Sequence, residues 1–231
     1  MKKTILKSAL ALVLVLSAGM SYSQNKEDRD VSSFSGISLA IPAELYLSQG
    51  SPQKVVIQAS DEDLSRIETS VKNGQLYIKT DSYFARLKDV KIWITVPEIE
   101  ALHLSGSGTI MNETAINSHE LDMKVSGSGK IKIMELQGHE LEAAISGSGD
   151  IILAGELHEM DVKISGSGSM QAKDLKVEEC DTKISGSGRC EVDATGELNA
   201  DISGSGHVTY YGNPEVDASV SGSGKVRKGD K

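Results

Sequence analysis

The sequence predicts an all-β fold, a parallel β-helix (solenoid) of about 20-residue rungs with an N-terminal β-rich cap. Ser-Gly-Ser-Gly recurs seven times in the second half of the chain, at intervals of 18 to 21 residues. A period of about 20 residues is too short for a repeat of helical hairpins and suits one turn of a solenoid built from strands. Apolar and polar residues alternate on both sides of every copy, which is typical of two short strands that each bury one face. The copies begin at Ser105, Ser126, Ser146, Ser165, Ser185, Ser203 and Ser221.

The repeated glycines are predicted to form the corners of the solenoid. Identical turns stack about 4.8 Å apart, and a residue without a Cβ allows both the bend and the close approach at every level. A flexible linker would lack the alternating apolar flanks, and a phosphate-binding loop would need a helix where a strand follows here. The predicted corners are Gly106, Gly108, Gly127, Gly129, Gly147, Gly149, Gly166, Gly168, Gly186, Gly188, Gly204, Gly206, Gly222 and Gly224.

The predicted core consists of apolar columns that appear when the repeats are aligned. Aromatic residues make up only 4% of the chain, so the core must be built from Ile, Val, Leu, Met and Ala. The residue before each first serine is aliphatic, being Leu104, Val125, Ile145, Ile164, Ile184, Ile202 and Val220. Five residues after each first serine stand Ile110, Ile131, Ile151, Met170, Cys190, Val208 and Val226.

The chain divides into three predicted parts: a signal peptide (1–23), an N-terminal β-rich cap with the first rungs (24–100), and the repeat β-helix (101–231). In the cap, Asn73-Gly74 lies between two apolar runs and predicts a hairpin tip. Asp61–Ile67 predicts a short helical turn, and Val90–Pro97 leads into the repeats.

The first residues have the pattern of an export signal. Lys2, Lys3 and Lys7 precede the apolar run 9–16, and small residues stand three and one before Gln24. The alternative is a retained N-terminal anchor. The run is too short to span a bilayer, so we expect a soluble mature protein in the periplasm, at the cell surface or outside the cell.

The mature chain is expected to be strongly acidic. Without the three lysines of the signal, 21 basic residues stand against 33 acidic ones, a formal charge of −12. Such a surface repels nucleic acid and anionic lipid, so neither is an expected partner, and no membrane insertion of the mature chain is expected.

The outward positions of the repeats form columns of acidic residues. Stacking like charges about 5 Å apart is unfavourable in a sheet, so either solvent, salt and nearby lysines offset the repulsion or Ca²⁺ binds between the carboxylates. Glu140, Glu142, Glu159 and Asp161 are the candidate cation ligands. A second column, seven residues before the serines, contains His119, His139 and His158. Three imidazoles beside glutamates suit zinc or copper, whereas a corner column can also repeat by register alone.

Cys180 and Cys190 flank one repeat, five residues before and five after Ser185. In an exported protein they are either a disulfide or two buried free thiols that pack as small apolar groups. No catalytic constellation stands out. The carboxylates follow the repeat, whereas a polysaccharide-cleaving site needs two or three acids at a set separation in a groove. We therefore expect no enzymatic activity and no cofactor, with Ca²⁺ as the one cofactor candidate.

The residues Val90-Lys-Ile-Trp-Ile-Thr-Val-Pro97, then Leu102-His-Leu-Ser-Gly-Ser-Gly108 and the later repeats resemble the DUF2807 family, common in Bacteroidetes and named for an auto-transporter adhesin head domain. The resemblance covers Phe34 to Lys231. It implies a right-handed parallel β-helix in an exported protein and brings no catalytic residues with it. The chain extends only seven residues past the last Gly-Ser-Gly, so we do not expect a full autotransporter.

The expected function is that of an exported, non-enzymatic β-helix acting as an adhesin-like or envelope binding module for a carbohydrate or an envelope or host protein. The first alternative is a periplasmic structural or stress-associated protein with a protein partner. A polysaccharide-active β-helix enzyme is the second alternative.

Overall fold

The computed structural model describes residues 24–81 and 87–230, so the proposed signal peptide lies outside the described residues. The N-terminal third contains β1 (Asn25–Asp28), β2 (Gly36–Leu39), β3 (Ala43–Gln49), β4 (Lys54–Ala59), helix α1 (Asp61–Arg66), β5 (Ile67–Lys72), β6 (Gln75–Thr80) and β7 (Val90–Val96). The remainder contains β8 (Ala101–Gly106), β9 (Thr109–Asn112), β10 (Ile116–Gly127), β11 (Lys130–Gly147), β12 (Asp150–Gly166), β13 (Ser169–Gly186), β14 (Arg189–Gly204), β15 (His207–Gly212), β16 (Glu215–Gly222) and β17 (Lys225–Lys228). The strands stack into a β-solenoid of about six turns, which confirms the predicted fold class.

Each rung of the repeat bends at a Ser-Gly-Ser-Gly corner. Strands β10 to β14 pair in parallel so that equivalent residues of successive repeats lie opposite one another, as Ser126 does with Ser146 and Ser146 with Ser165. A second bend occurs in mid-strand, where the pairing of β11 with β12 shifts between Ile133 and Leu136. The long strands therefore fold round the core instead of crossing it.

The two glycines of a corner are required for different reasons. Gly147 has φ +118°, and a Cβ built on it would lie 2.6 Å from the carbonyl oxygen of Gly127 in the rung below. Gly149 faces inward, and its Cβ would lie 2.4 Å from Cγ1 of Val125. Backbone hydrogen bonds join the stacked corners, for example from Ser148 N to Gly127 O at 2.8 Å. Any side chain at either glycine would push two rungs apart.

The inward columns form one continuous core. Residues before the corners such as Val125, Ile145 and Ile164 are at most 2% exposed, and Ile131 and Ile151 after the corners are fully buried. In these columns aliphatic side chains provide the burial, as the composition predicts, and Phe34 is a buried aromatic residue of the cap. The last rung is the exception, because Val216 is 36% and Val220 43% exposed.

The N-terminal third contributes parallel strands that continue the stack of rungs and antiparallel strands that cover its outer edge. Strand β2 pairs in parallel with β6 on one side and β8 on the other, and β3 does the same with β7 and β9. The pair β6/β7 therefore stacks outside β2/β3, although it follows them in sequence. Strands β1, β4 and β5 then add antiparallel to the outer edge. The β5–β6 hairpin turns at Asn73-Gly74, both with positive φ, as the sequence predicts.

Two local contacts hold the cover in place. Ser60 caps α1 by accepting a hydrogen bond from Asp63 N at 3.1 Å, and three acidic residues in the first turn suit the positive end of the helix dipole. On the outer face, the rings of Trp93 and Tyr46 stack with centroids 5.6 Å apart, and Nζ of Lys26 lies 4.4 Å from the Trp93 ring. Lys26 thereby ties β1 to the sheet beneath it.

Candidate functional site

The most regular exposed surface is the strand face that precedes the Ser-Gly-Ser-Gly corners, which we call the acidic face. Its side chains alternate with the buried column of Leu121, Leu141 and Met160, so that they point to solvent. The pairing register places equivalent residues opposite one another in every rung, and nearly all of them are acids. One row is Glu120, Glu140, Glu159, Glu179, Glu197 and Glu215, and the other is Asp122, Glu142, Asp161, Asp181, Asn199 and Asp217.

This arrangement brings like charges to the spacing of neighbouring strands, about 4.8 Å. Lysines two residues before the corners supply part of the compensation: Lys124 contacts Asp122 in a close ion pair. Lys163 and Lys183 occupy the same column further along. The candidate ligands Glu140, Glu159, Glu142 and Asp161 thus lie in two adjacent rows of one rigid face.

Asp122 lies where the acidic face meets the cap and contacts two side chains, Lys124 and His103. Its Oδ2 lies 3.0 Å from Nε2 of His103, whose Nδ1 lies 3.3 Å from Nε2 of Gln75 in β6. Partial burial raises the pKa of Asp122, but the hydrogen bonds and charges of Lys124 and His103 outweigh burial and leave this pKa below its usual value. Asp122 therefore stays ionised and links the first rungs to the repeat.

An open groove runs along the edge of the acidic face beside the cap. Gln49 stands at one end and bonds the backbone of Asn117 through both atoms of its amide, at 2.7 and 2.9 Å. The acidic residues that line the groove are Glu98, Glu100, Glu120, Asp122, Glu140 and Glu142. The groove is acidic and open, which suits an extended or flat partner better than an enclosed small molecule.

The three candidate histidines lie side by side in neighbouring strands, directly before the first row of the acidic face. The ring centroids of His119 and His139 are 5.1 Å apart, and those of His139 and His158 are 4.8 Å apart. Nδ1 of His158 lies 2.8 Å from Oε2 of Glu178, which occupies the same column in the next rung. The sequence alignment contains Glu178 in this column, but only the contact shows that it partners the histidines.

The histidines and carboxylates do not form a ready-made metal centre. Among residues 24–81 and 87–230, no group of three or more His, Cys, Asp or Glu side chains converges in a way that could hold a metal ion. The carboxylates keep the register of the repeat, each opposite an equivalent residue. Their regular spacing is that of a surface pattern.

Cys180 and Cys190 are both buried and present as free thiols. Oγ1 of Thr182 lies 3.5 Å from Sγ of Cys180 and 3.8 Å from Sγ of Cys190, so the hydroxyl bridges the two thiols. Burial raises the pKa of Cys180 to about 12 and raises that of Cys190 as well. Both thiols are thus protonated and poorly reactive in the folded protein.

No helix in the described part of the chain is long and apolar enough to cross a bilayer.

Several solved structures share this architecture. A "putative adhesin" from Bacteroides fragilis is 24% identical, with 90% of this chain and 98% of that chain aligned and a TM-score of 0.86. A "putative lipid binding protein" from Parabacteroides distasonis is 22% identical over 91% of this chain and 98% of that chain, with a TM-score of 0.76. A "putative adhesin" from Parabacteroides merdae is 20% identical over the same shares, with a TM-score of 0.68. At such identities the likeness establishes the fold alone.

Among curated proteins nothing matches this chain. A protein-family model does match, over residues 33–214, and its description is "Putative auto-transporter adhesin, head GIN domain". The match spans the cap from β2 onward, the first six Ser-Gly-Ser-Gly corners and most of the acidic face, and ends before β16. The chain therefore belongs to the DUF2807 family.

Proposed function

We propose that this protein is an exported, non-enzymatic β-solenoid that acts as an adhesin-like binding module of the bacterial envelope. The observation that carries the proposal is the acidic face, a rigid row-by-row array of exposed carboxylates on consecutive parallel strands. Paired strands present these carboxylates without a cost of ordering loops when an extended partner binds.

The family description and the names of the similar structures support a role in adhesion at a general level. The charge pattern indicates a more specific class of partner. Acidic rows repel nucleic acid and anionic lipid and attract partners with exposed lysines and arginines. We therefore assign the partner to the class of envelope or host proteins with a basic surface, or of carbohydrates presented with them.

Cell-surface exposure is the property that separates an adhesin from a periplasmic structural protein. Intact cells of the source bacterium are treated with protease and the protein is then detected with antibody, beside one known surface protein and one known periplasmic protein. Loss of the signal from intact cells supports adhesion. Full protection, with the surface control degraded, contradicts it and favours a periplasmic role with a protein partner.

A pair of matched variants tests the face itself. The triple variant Glu140→Gln, Glu159→Gln, Asp161→Asn removes three charges from the acidic face. The control Glu135→Gln, Glu156→Gln, Asp174→Asn removes three exposed charges from elsewhere on the rungs. Binding of each purified protein to immobilised matrix proteins and to a glycan array is compared with the unmodified chain. The proposal requires the first variant to lose at least tenfold more binding than the control, and equal losses contradict it.

A further inference from the structure

The column of the three histidines extends further than the histidines themselves. In five consecutive rungs it consists of Glu98, His119, His139, His158 and Glu178, so that a carboxylate stands at each end of the imidazoles. We call these five residues the histidine ladder. Three of the five histidines of the chain are in it. The other two lie elsewhere: His103 is engaged with Asp122 and Gln75, and Nδ1 of His207 lies 2.6 Å from Gly206 O.

From this juxtaposition we infer that the histidine ladder binds a first-row divalent metal ion, with Zn²⁺ as the expected ion. Imidazole nitrogen is the ligand that zinc, copper and nickel share, whereas calcium and magnesium prefer oxygen. The inference goes beyond the proposed role in adhesion and does not depend on it.

The ring spacing is suited to chelation by neighbouring pairs. Two nitrogens bound to one tetrahedral zinc lie roughly 3.4 Å apart, given Zn–N bonds of about 2.0–2.1 Å. The ring centroids are 5.1 and 4.8 Å apart, and the planes are inclined by 56° and 61°. Because His119 and His139 are exposed and 43% of the His158 side chain is accessible, small rotations of the rings bring nitrogens of adjacent residues to that separation. Water completes the coordination of a metal ion held by two neighbouring imidazoles.

Glu178 prepares His158 for this role. Its Oε2 lies 2.8 Å from Nδ1 of His158, so the hydrogen bond places the proton on Nδ1 and leaves the lone pair of Nε2 free. Metal-bound histidines commonly donate their second ring N–H to a carboxylate, which orients the ring and makes it a better ligand. Glu178 is thus a positioning residue, and His139 is the central ligand because it has an imidazole on both sides.

The test is a zinc titration of the metal-free protein, purified without a histidine tag and followed by calorimetry. We expect saturable binding of one Zn²⁺ per chain. His139→Ala, which breaks both neighbouring pairs, should weaken binding at least tenfold. His207→Ala, a histidine outside the ladder, should leave it unchanged. Circular dichroism and melting of each variant show whether the fold is retained.

Two further measurements define the site. Glu178→Gln should weaken zinc binding by about tenfold, the lower end of what loss of a supporting carboxylate costs, without lowering the melting temperature of the metal-free protein. Co²⁺ in place of Zn²⁺ should give a visible absorption spectrum that His139→Ala abolishes. Absence of saturable binding, equal binding by wild type and His139→Ala, or loss only in the acidic-face variant Glu140→Gln, Glu159→Gln, Asp161→Asn would each overturn the inference.

Discussion

The cap and the repeat build the same parallel stack by different means. In the repeat, β10 to β14 bring the same residue types to the same place in each rung, and the corner glycines allow rung-to-rung contact. In the cap, β6/β7 stack outside β2/β3, and the outer strands β1, β4 and β5 run antiparallel and lack the Ser-Gly-Ser-Gly repeat. A repeating sequence can extend a stack, but ending it requires residues that do not repeat.

The two ends of the stack differ in how well their apolar side chains are buried. At the N-terminal end, β4 beneath the outer strand β1 keeps Val55 and Ile57 at most 1% exposed. In the last described rung, Val216 and Val220 are 36% and 43% exposed, whereas Leu198 and Ile202 one rung earlier are 0% and 3% exposed. Each rung is therefore buried by the next one. The contribution of an apolar side chain to the free energy of unfolding depends on its level in the stack.

The largest expected effect comes from a corner. Gly147→Val places a side chain at φ +118° and against the Gly127 carbonyl, so we expect a loss of more than about 3 kcal/mol from strain and overpacking together. Gly106→Val is the matched control: φ is +96°, but nothing lies within 4 Å of its Cβ position. It should cost only the strain of about 1–3 kcal/mol. Chemical denaturation measures both, and equal losses would show that rung-to-rung contact is not what requires the glycine.

Truncation of one core residue on each side tests whether cap and repeat unfold together. Ile94 in β7 and Ile145 in β11 are each 1% exposed. Ile94→Ala and Ile145→Ala should each cost about 2–5 kcal/mol. Both should shift a single transition, because β2/β3 and β8/β9 continue one stack. Fluorescence of Trp93 reports the cap and circular dichroism the whole chain, and two separate midpoints would show that the cap is an independent unit.

Two valines at equivalent positions show how the cost of truncation depends on the level of a rung in the stack. Val125 and Val220 both precede a corner, but they are 1% and 43% exposed. Val125→Ala should cost about 1.5–2.5 kcal/mol and Val220→Ala under about 1 kcal/mol, in proportion to the apolar surface removed from water. Urea unfolding of the two variants gives the comparison. Equal costs would mean that another rung or chain covers Val220 in solution.

Salt should stabilise the repeat by screening the repulsion between carboxylates of the acidic face. Raising NaCl from low to moderate concentration should raise the melting temperature by a few degrees, because it weakens the repulsion between stacked carboxylates. CaCl₂ at the same ionic strength should give the same midpoint. A clearly higher midpoint with Ca²⁺ that chelator reverses would instead support calcium binding between the carboxylates.

The smallest effect concerns the link between the cap and the repeat. The pKa of Asp122 is lowered in the folded protein, so its contribution to stability is present above its unfolded pKa, near 3.8, and is lost as pH falls through the lower folded value. Asp122→Asn should cost no more than about 1 kcal/mol at pH 7, because the group is partly exposed, and less at pH 2, where more of the carboxyl is protonated. Unfolding at both pH values tests this, and an equal cost at pH 2 would assign the effect to packing.

For the repeat, the sequence alone predicts the rungs and the residues that stack on one another. Alternation on both sides of Ser-Gly-Ser-Gly predicts the rungs, and the alignment predicts which acids share a row. The residues of the candidate surfaces could be predicted because a strict repeat stacks equivalent positions. Side-chain partners could not. The contacts of His103 with Asp122, of Glu178 with His158, and of Thr182 with the two cysteines depend on how the rungs stack and bend.

The sequence by itself determined the fold class, the rung length, the corners and the hairpin at Asn73-Gly74, because each follows from local conformational preference and periodic burial. Only the tertiary structure decided the order of the cap strands. β2 lies between β6 and β8 because strand pairing joins residues 39 and 65 positions apart along the chain, and no local preference specifies which edge is covered by which segment. The same reason places Lys26 over Trp93 and closes one end of the solenoid.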